Sequence, residues 1–217
     1  RPANGRERAK SSSREPSVER LLQRGAPVLD GRGRPIPGYS FGSAARYDRH
    51  AVKGFPWALK EWDFYQICDG EYVLQCTIGH VSYAGSASVT LLRMRTGERL
   101  LSRSMLTPLR AGVPPMPLDA EADSDICFRK GGAMLRFTVL NGVRHIAFDW
   151  DGAAGEITLT PAAGRGIVVN TPFPGKPRCF YYNHKLPGMR AAGWVRFGEG
   201  RMAFAGENAF GLLDWGR

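Results

Sequence analysis

The chain has 217 residues, 43% of them hydrophobic and 23% charged, which is ordinary for a soluble globular protein and enough for one large domain or one and a half small ones. No apolar run approaches the roughly 18 residues that a membrane-spanning helix needs, and the N-terminus lacks the apolar stretch of a secretory signal. The net charge of +10 is unevenly placed: residues 1–24 and 25–60 carry +4 each, so the rest of the chain is close to neutral and a uniformly basic body is excluded.

Residues 1–19, RPANGRERAKSSSREPSVE, hold no periodic apolar signal and read as a disordered, solvated basic leader. The chain opens on Arg1 rather than Met, as a processed or partial product would. Nothing resembling a DNA-reading helix or an RNA-binding aromatic strand accompanies the basic residues, so no nucleic-acid partner is expected. The one helical cue is SVERLLQR, 17–24, where Ser17 can cap a short turn over 18–24. Residues 20–59, with Pro, Gly and the turn cues of LDGRGRPIPG, read as an extended segment packed on the rest of the fold.

From residue 60 the pattern becomes short apolar runs broken by turn residues. Strands are expected at 60–68, 72–81, 86–94, 99–105, 126–130, 134–140, 143–150, 155–160, 179–186, 193–197, 201–205 and 211–215. Their connections are hairpin-like: CDGE at 68–71, RTGE at 95–98, KGGA at 130–133, NG at 141–142, DG at 151–152 and GEG at 198–200. Asn-Gly and Asp-Gly supply the positive φ that tight hairpins require. Alternation gives the strands apolar faces, Leu135, Phe137 and Val139 opposing Met134, Arg136, Thr138 and Leu140, and Ile146, Phe148 and Trp150 opposing Ala147 and Asp149. The fold class that follows is all-β: an antiparallel meander over 60–217 that manages its edges as a barrel or as paired barrel-like sheets. The Pro/Gly stretch 164–177 reads as a long connection of the kind that caps a barrel mouth.

Standard catalytic signatures are missing: there is no dinucleotide-binding glycine loop, no P-loop, no H-E-x-x-H and no nucleophile elbow. His50, His80, His145 and His184 stand apart, none at ligand spacing from a Cys or carboxylate cluster, so neither a metal nor another cofactor is expected. Cys68, Cys76, Cys127 and Cys179 form no C-x-x-C pair. Read as buried free thiols they point to a reducing cytoplasm, with a Cys68–Cys76 bridge between neighbouring strands geometrically open but not indicated.

Three strands mix aromatic with ionisable residues: KEWDFY at 60–65, CFYYNHK at 179–185 and LLDWGR at 212–217. Closing a core does not require this mixture, because buried charge is costly unless paired. In the first strand Glu61, Asp63, Tyr65 and Ile67 share one side, opposite Trp62, Phe64 and Gln66. In the second, Tyr181, Asn183 and Lys185 share a face opposite Phe180, Tyr182 and His184. A desolvated Asp63 beside aromatics would have its pKa raised and suit general acid or base work, with Tyr65 or His184 assisting. Glu61, Trp62, Tyr181, Asn183, Lys185, Asp214 and Trp215 are the candidate ligand-binding groups around the same polar space.

KEWDFYQI, GHVSYAGSASV, YYNHKLPGMRAAGWV and AFGLLDWGR, in that order, resemble the successive signatures of a bacterial family catalogued as a domain of unknown function, a resemblance spanning about residues 20–217. That family is in turn similar in fold to the lipocalin-like proteins that include carotenoid 1,2-hydratase and the lipocalin-type pericyclases. The resemblance implies a lipocalin-like barrel, and it implies further strands beyond D-W-G-R, so that the 60–217 domain is truncated at its C-terminus. It carries no catalytic residue with it and flags only the matching positions Lys60, Glu61, Trp62, Asp63, Tyr65, Asn183, His184, Lys185, Asp214, Trp215 and Arg217.

Two functions remain open. One is a cytoplasmic protein that holds a small, largely apolar molecule in its barrel, with acid–base chemistry such as hydration, isomerisation or cyclisation available without a cofactor. The other is a non-catalytic structural or interaction protein, its strand charges forming internal salt bridges and its basic first 60 residues meeting an acidic partner. They differ in whether Asp63, Asn183, Lys185 and Asp214 line open space or are paired and sealed.

Overall fold

The computed structural model describes residues 20–217 except 43, 44, 55, 110 and 162–165. The leader 1–19, Ser17 included, lies outside the described residues. Strands β1 (Ala26–Pro27), β2 (Gly38–Phe41) and β3 (Ala45–Arg46) come first, followed by two short 3₁₀ turns at Arg49–Ala51 and Pro56–Ala58. Then come β4 (Glu61–Cys68), β5 (Tyr72–His80), β6 (Ala84–Arg93), β7 (Glu98–Pro108), β8 (Ser124–Lys130), β9 (Ala133–Leu140), β10 (Val143–Trp150), β11 (Ala153–Thr160), β12 (Ile167–Phe173), β13 (Lys176–Phe197), β14 (Gly200–Phe204) and β15 (Phe210–Gly216). No helix among the described residues is long and apolar enough to cross a membrane.

Local sequence explains the ladders. Gly131-Gly132, Asn141-Gly142 and Asp151-Gly152 all have positive φ, the type I′ geometry whose twist matches that of the flanking strands. They close β8–β9, β9–β10 and β10–β11 in tight register, with Lys130 opposite Ala133, Leu140 opposite Val143 and Trp150 opposite Ala153. The strand order is β7-β6-β5-β4-β15-β13-β11-β10-β9-β8, with β12 and β14 added to β13, and β2 added to β12. Every ladder of this sheet is antiparallel; β1 and β3 form a separate parallel pair.

The sheet curls into a half-barrel. Tyr65 on β4 meets Phe137 on β9 edge-on at 4.8 Å, although four strands separate them in the sheet order. Arg103 on β7 reaches the Asp151 carbonyl in the β10–β11 turn at 3.1 Å. The enclosed face is apolar over most of its area: Ile67, Leu74, Ile78, Val89, Leu91, Phe128, Leu135, Phe148, Leu159, Val195 and Leu213 are buried. Each such side chain contributes roughly 1.5–3 kcal/mol on burial.

Three expectations are corrected. Residues 20–24 form no helical turn, because Leu21 bridges in parallel to Tyr39 and the Leu22 N–H donates to the Tyr39 carbonyl. Residues 167–173 are a strand rather than a mouth-capping loop: β12 is flanked by β13 and β2, with Pro172 near its end, where the β12–β13 register shifts. The segments 179–186 and 193–197 belong to the single 22-residue strand β13, whose register against β15 shifts across Pro187 and Gly188. Of the four free cysteines only Cys76 is buried, and Cys179 is exposed near the outer end of β13. Cys68 stands opposite Val73 and Cys76 opposite Tyr65, so the β4–β5 register separates the two thiols.

Candidate functional site

β4 alternates strictly, burying Glu61, Asp63, Tyr65 and Ile67 on the inner face. The ladders set Asp63 opposite Trp215, and Trp215 opposite His184, so these three side chains form one row across β4, β15 and β13. Asp63 and Tyr65 are neighbours along β4, whereas His184 lies two strands from Asp63, roughly 10 Å at ordinary strand spacing, with the Trp215 indole between.

Glu61 is the most heavily bonded group. It accepts from Tyr47 Oη at 3.0 Å, Arg49 Nη2 at 3.2 Å and His80 Nε2 at 2.8 Å, and Arg217 Nε lies 3.7 Å away. The Ser82 N–H donates to His80 Nδ1 at 3.2 Å, which places the ring proton on Nε2, facing Glu61. Burial pushes the Glu61 carboxyl up, but the His80 hydrogen bond and the Arg217 and Arg49 charges outweigh it and hold the group below its ordinary value.

Arg217 spans the two acids. Its Nη2 donates to Asp63 Oδ1 at 2.9 Å and to the Pro117 carbonyl at 2.8 Å, Nη1 reaches the Trp62 and Gly216 carbonyls, and the guanidinium lies 3.8 Å over the Trp215 ring. Asp63 receives no other side-chain hydrogen bond among the described residues. Burial dominates here, so its carboxyl lies above the ordinary value despite Arg217. Burial likewise raises the Tyr65 phenol, and lowers His184 to about 4, leaving that imidazole neutral near pH 7.

The inner face is not fully satisfied. Trp215 Nε1, His184 Nε2 and Arg144 Nε are buried without a hydrogen-bond partner among the described residues. Arg144, on β10, spends its other nitrogens on the Gly142 and Ala120 carbonyls. Its guanidinium lies within hydrogen-bonding reach of the Tyr65 hydroxyl, and its charge also acts on Asp63 and His184.

The remaining candidates occupy the opposite face. Lys185 stands opposite Asp214, which stands opposite Phe64. Asp214 is ion-paired to Lys185 and accepts from Asn183 Nδ2 at 2.5 Å. Trp62 lies across Gly216, where an added Cβ would sit 2.1 Å from its ring, and stacks on Tyr181 at 5.7 Å. Burial and the Asp214 charge raise the Tyr181 phenol to about 12. The single polar space expected from sequence is therefore two clusters divided by the sheet: Glu61, Asp63, Tyr65, His184 and Trp215 inside, and Trp62, Tyr181, Asn183, Lys185 and Asp214 outside. A one-residue change of register moves a whole strand between faces, and nothing local to KEWDFY or YYNHK specifies that register.

A cleft of about 840 Å³, lined by residues that include Arg24, Arg46, Tyr47, Leu118 and Asp119, lies beside the inner cluster. Tyr47 joins the two, packing on Tyr182 and Trp215 while bonding Glu61; Asp119 acts electrostatically on His184 and Tyr182. Sequence reasoning missed Tyr47, Arg49, His80 and Arg144 as site residues. Arg144 was legible, since it shares the alternation of Ile146 and Phe148; the others become visible only through contacts distant in sequence.

The fold and this motif-built cluster define a half-barrel protein of a recognisable kind. Residues 19–217 match the domain of unknown function DUF2804, and the chain belongs to that family. Among solved structures, a candidate AttH from Nitrosomonas europaea is similar in fold, with TM-score 0.51 and 16% identity over 88% of this chain and 57% of that one. Kievitone hydratase from Nectria haematococca aligns with TM-score 0.44 and 11% identity over 92% of this chain and 58% of that one. The chain thus spans a little over half the length of the structures it matches. No curated protein matches it in sequence.

Proposed function

We propose that this chain binds a small, largely apolar molecule against the inner face of its half-barrel, with the polar end of that molecule at Asp63. The observation that carries this is a set of buried polar atoms on the inner face that lack hydrogen-bond partners among the described residues: Trp215 Nε1 opposite Asp63 in the ladder, His184 Nε2 one strand further, and Arg144 Nε on β10. A network that served strand register alone would be satisfied throughout, because a half-satisfied buried network is costlier than an apolar core.

Asp63 is also placed for cofactor-free acid–base work. Burial raises its carboxyl above the ordinary value, the direction a general acid needs, and Arg217 fixes one of its oxygens. His184, neutral near pH 7, is suited to accept a proton rather than give one. Hydration, isomerisation and cyclisation are reactions these groups support. Native mass spectrometry of the full-length protein purified from its host should reveal a retained lipid or isoprenoid, and Asp63→Asn should abolish any turnover of that molecule while leaving it bound. A clean apo mass across several preparations counts against the proposal.

The second reading, a non-catalytic structural or interaction protein, is favoured by the outer cluster. There Asp214 is occupied by Lys185 and Asn183, and Trp62 covers Tyr181, so the cluster resembles a sealed brace.

A further inference from the structure

One end of the sheet gathers four exposed apolar side chains from three separate segments. Trp57 lies in the 3₁₀ turn before β4, Tyr83 in the β5–β6 turn, Leu106 near the end of β7 and Leu109 just beyond it. They are 46%, 56%, 78% and 72% exposed, and the two leucines are the most exposed large apolar side chains among the described residues. Hydrogen bonds hold the segments together. The Leu109 N–H donates to the Tyr83 carbonyl at 2.8 Å, and the Ser82 hydroxyl donates to the Leu59 carbonyl at 2.5 Å. In the ladder Ala84 stands opposite Pro108 and Ser86 opposite Leu106, which faces outward because its neighbour Thr107 is buried. Ser82 and Leu109 both adopt positive φ, +65° and +51°, a region that a leucine occupies only at a cost. The backbone thus accepts strain at a residue whose side chain gains nothing by burial, which packing does not explain.

The same segments are free of acid. Residues 51–60, 81–92 and 104–117 contain Lys53, Lys60 and Arg110, and no Asp or Glu. Lys53 and Lys60 are exposed, whereas Glu61, which follows, is buried and ion-paired on the inner face. Exposed leucine and aromatic side chains bordered by cations and by no carboxylate match the boundary of an anionic bilayer. There Leu enters the acyl region, Trp and Tyr sit at headgroup level and Lys meets phosphate. We infer that this end of the sheet, Trp57, Tyr83, Leu106 and Leu109 with Lys53 and Lys60, is a peripheral attachment surface for a bilayer containing anionic phospholipid. It stands independently of whether the inner face binds a small molecule.

The test mixes the full chain with vesicles of phosphatidylcholine alone, and with vesicles of phosphatidylcholine and phosphatidylglycerol in equal parts, and reads bound protein by co-sedimentation. Affinity should be at least about tenfold higher for the anionic vesicles, at roughly fivefold per cation near the surface, and should fall with added salt. Leu106→Ser combined with Leu109→Asn, asparagine being at ease with positive φ, should weaken binding about tenfold or more. Leu140→Ser, at a side chain 55% exposed on the β9–β10 hairpin, should leave it unchanged. Brominated-chain phosphatidylcholine in the anionic vesicles should quench tryptophan emission, and Trp57→Phe should remove most of that quenching. Each variant is first shown to unfold thermally as the parent does. Failure to sediment with either vesicle overturns the inference and leaves a protein as the partner of the patch. Sedimentation that the double leucine variant does not weaken overturns it as well, because the net charge of +10 then accounts for binding by itself.

Discussion

Asp63 and Glu61 are two residues apart on one strand face, yet their surroundings push them in opposite directions. Glu61 is held ionised by three donors and two guanidiniums, while Asp63 has one donor and is raised by burial. His184 offers the cleanest titration test. Burial is the largest influence, Arg144 adds to it and Asp119 opposes it; together they lower the imidazole from 6.5 to about 4. Between those values the unfolded chain binds the extra proton, so this stability is present above pH 6.5 and is lost as pH falls toward 4, by at most about 3 kcal/mol. Urea midpoints should therefore decline from about pH 7 to about pH 5, and His184→Phe should flatten most of that decline. Glu61, held low, loses its contribution only at more acidic pH. An unchanged slope in His184→Phe would place the titration elsewhere. The alternation of KEWDFY already announced that Glu61, Asp63 and Tyr65 share a face; it could not announce in which direction each acid would be shifted, because their partners Tyr47, His80 and Arg217 arrive from other elements.

Strand β13 is the element on which the sheet turns. Its first part pairs with β12 and β15 and its last part with β11 and β14. Gly193 stands at this change of partners with φ +155°, and a Cβ there would lie 2.0 Å from the Glu156 carbonyl oxygen and 2.7 Å from Ile157 Cα. Both obstacles are backbone and cannot step aside, so Gly193→Ala should cost about 1–3 kcal/mol and lower the melting temperature by several degrees. Gly31→Ala, with nothing within 4 Å, is the control. Equal melting temperatures for the two variants would mean the β11–β13 contact is looser than drawn. In sequence, Pro187-Gly188 looks like the end of one strand and Gly193 the start of another; hydrogen bonding to two successive sets of neighbours makes them one. The same blindness hid β12, whose Pro172 and the Gly175 that follows it suggest a loop until the flanking β2 and β13 are seen.

Across the whole molecule, the segment before β4 is fastened to the sheet by the β2–β12 ladder and by side chains reaching backbone. Asn170 Nδ2 donates to the Val28 and Ile36 carbonyls at 2.8 and 2.9 Å, and Tyr182 Oη to the Ala45 carbonyl at 2.9 Å. Removing Asn170 strands the Ile36 carbonyl and takes one of two donors from the Val28 carbonyl, which keeps the Ile36 N–H, at about 1–3 kcal/mol. Asn170→Ala should thus speed proteolysis within 20–42 while amide exchange in β8–β11 stays slow. Loss of protection throughout the sheet would show instead that segment and sheet unfold as one unit.

Period-two alternation and the Asn-Gly and Asp-Gly turns were sufficient to establish an all-β antiparallel chain and the buried sides of β9 and β10, since both are local properties of a pleated backbone. Strand order and register were not local. They depended on β15 inserting between β4 and β13 and on the curl that brings β4 over β9. That register, through the side-to-side alternation it imposes, placed Asp63 with Trp215 and His184 and sent Asn183, Lys185 and Asp214 to the other face of the sheet.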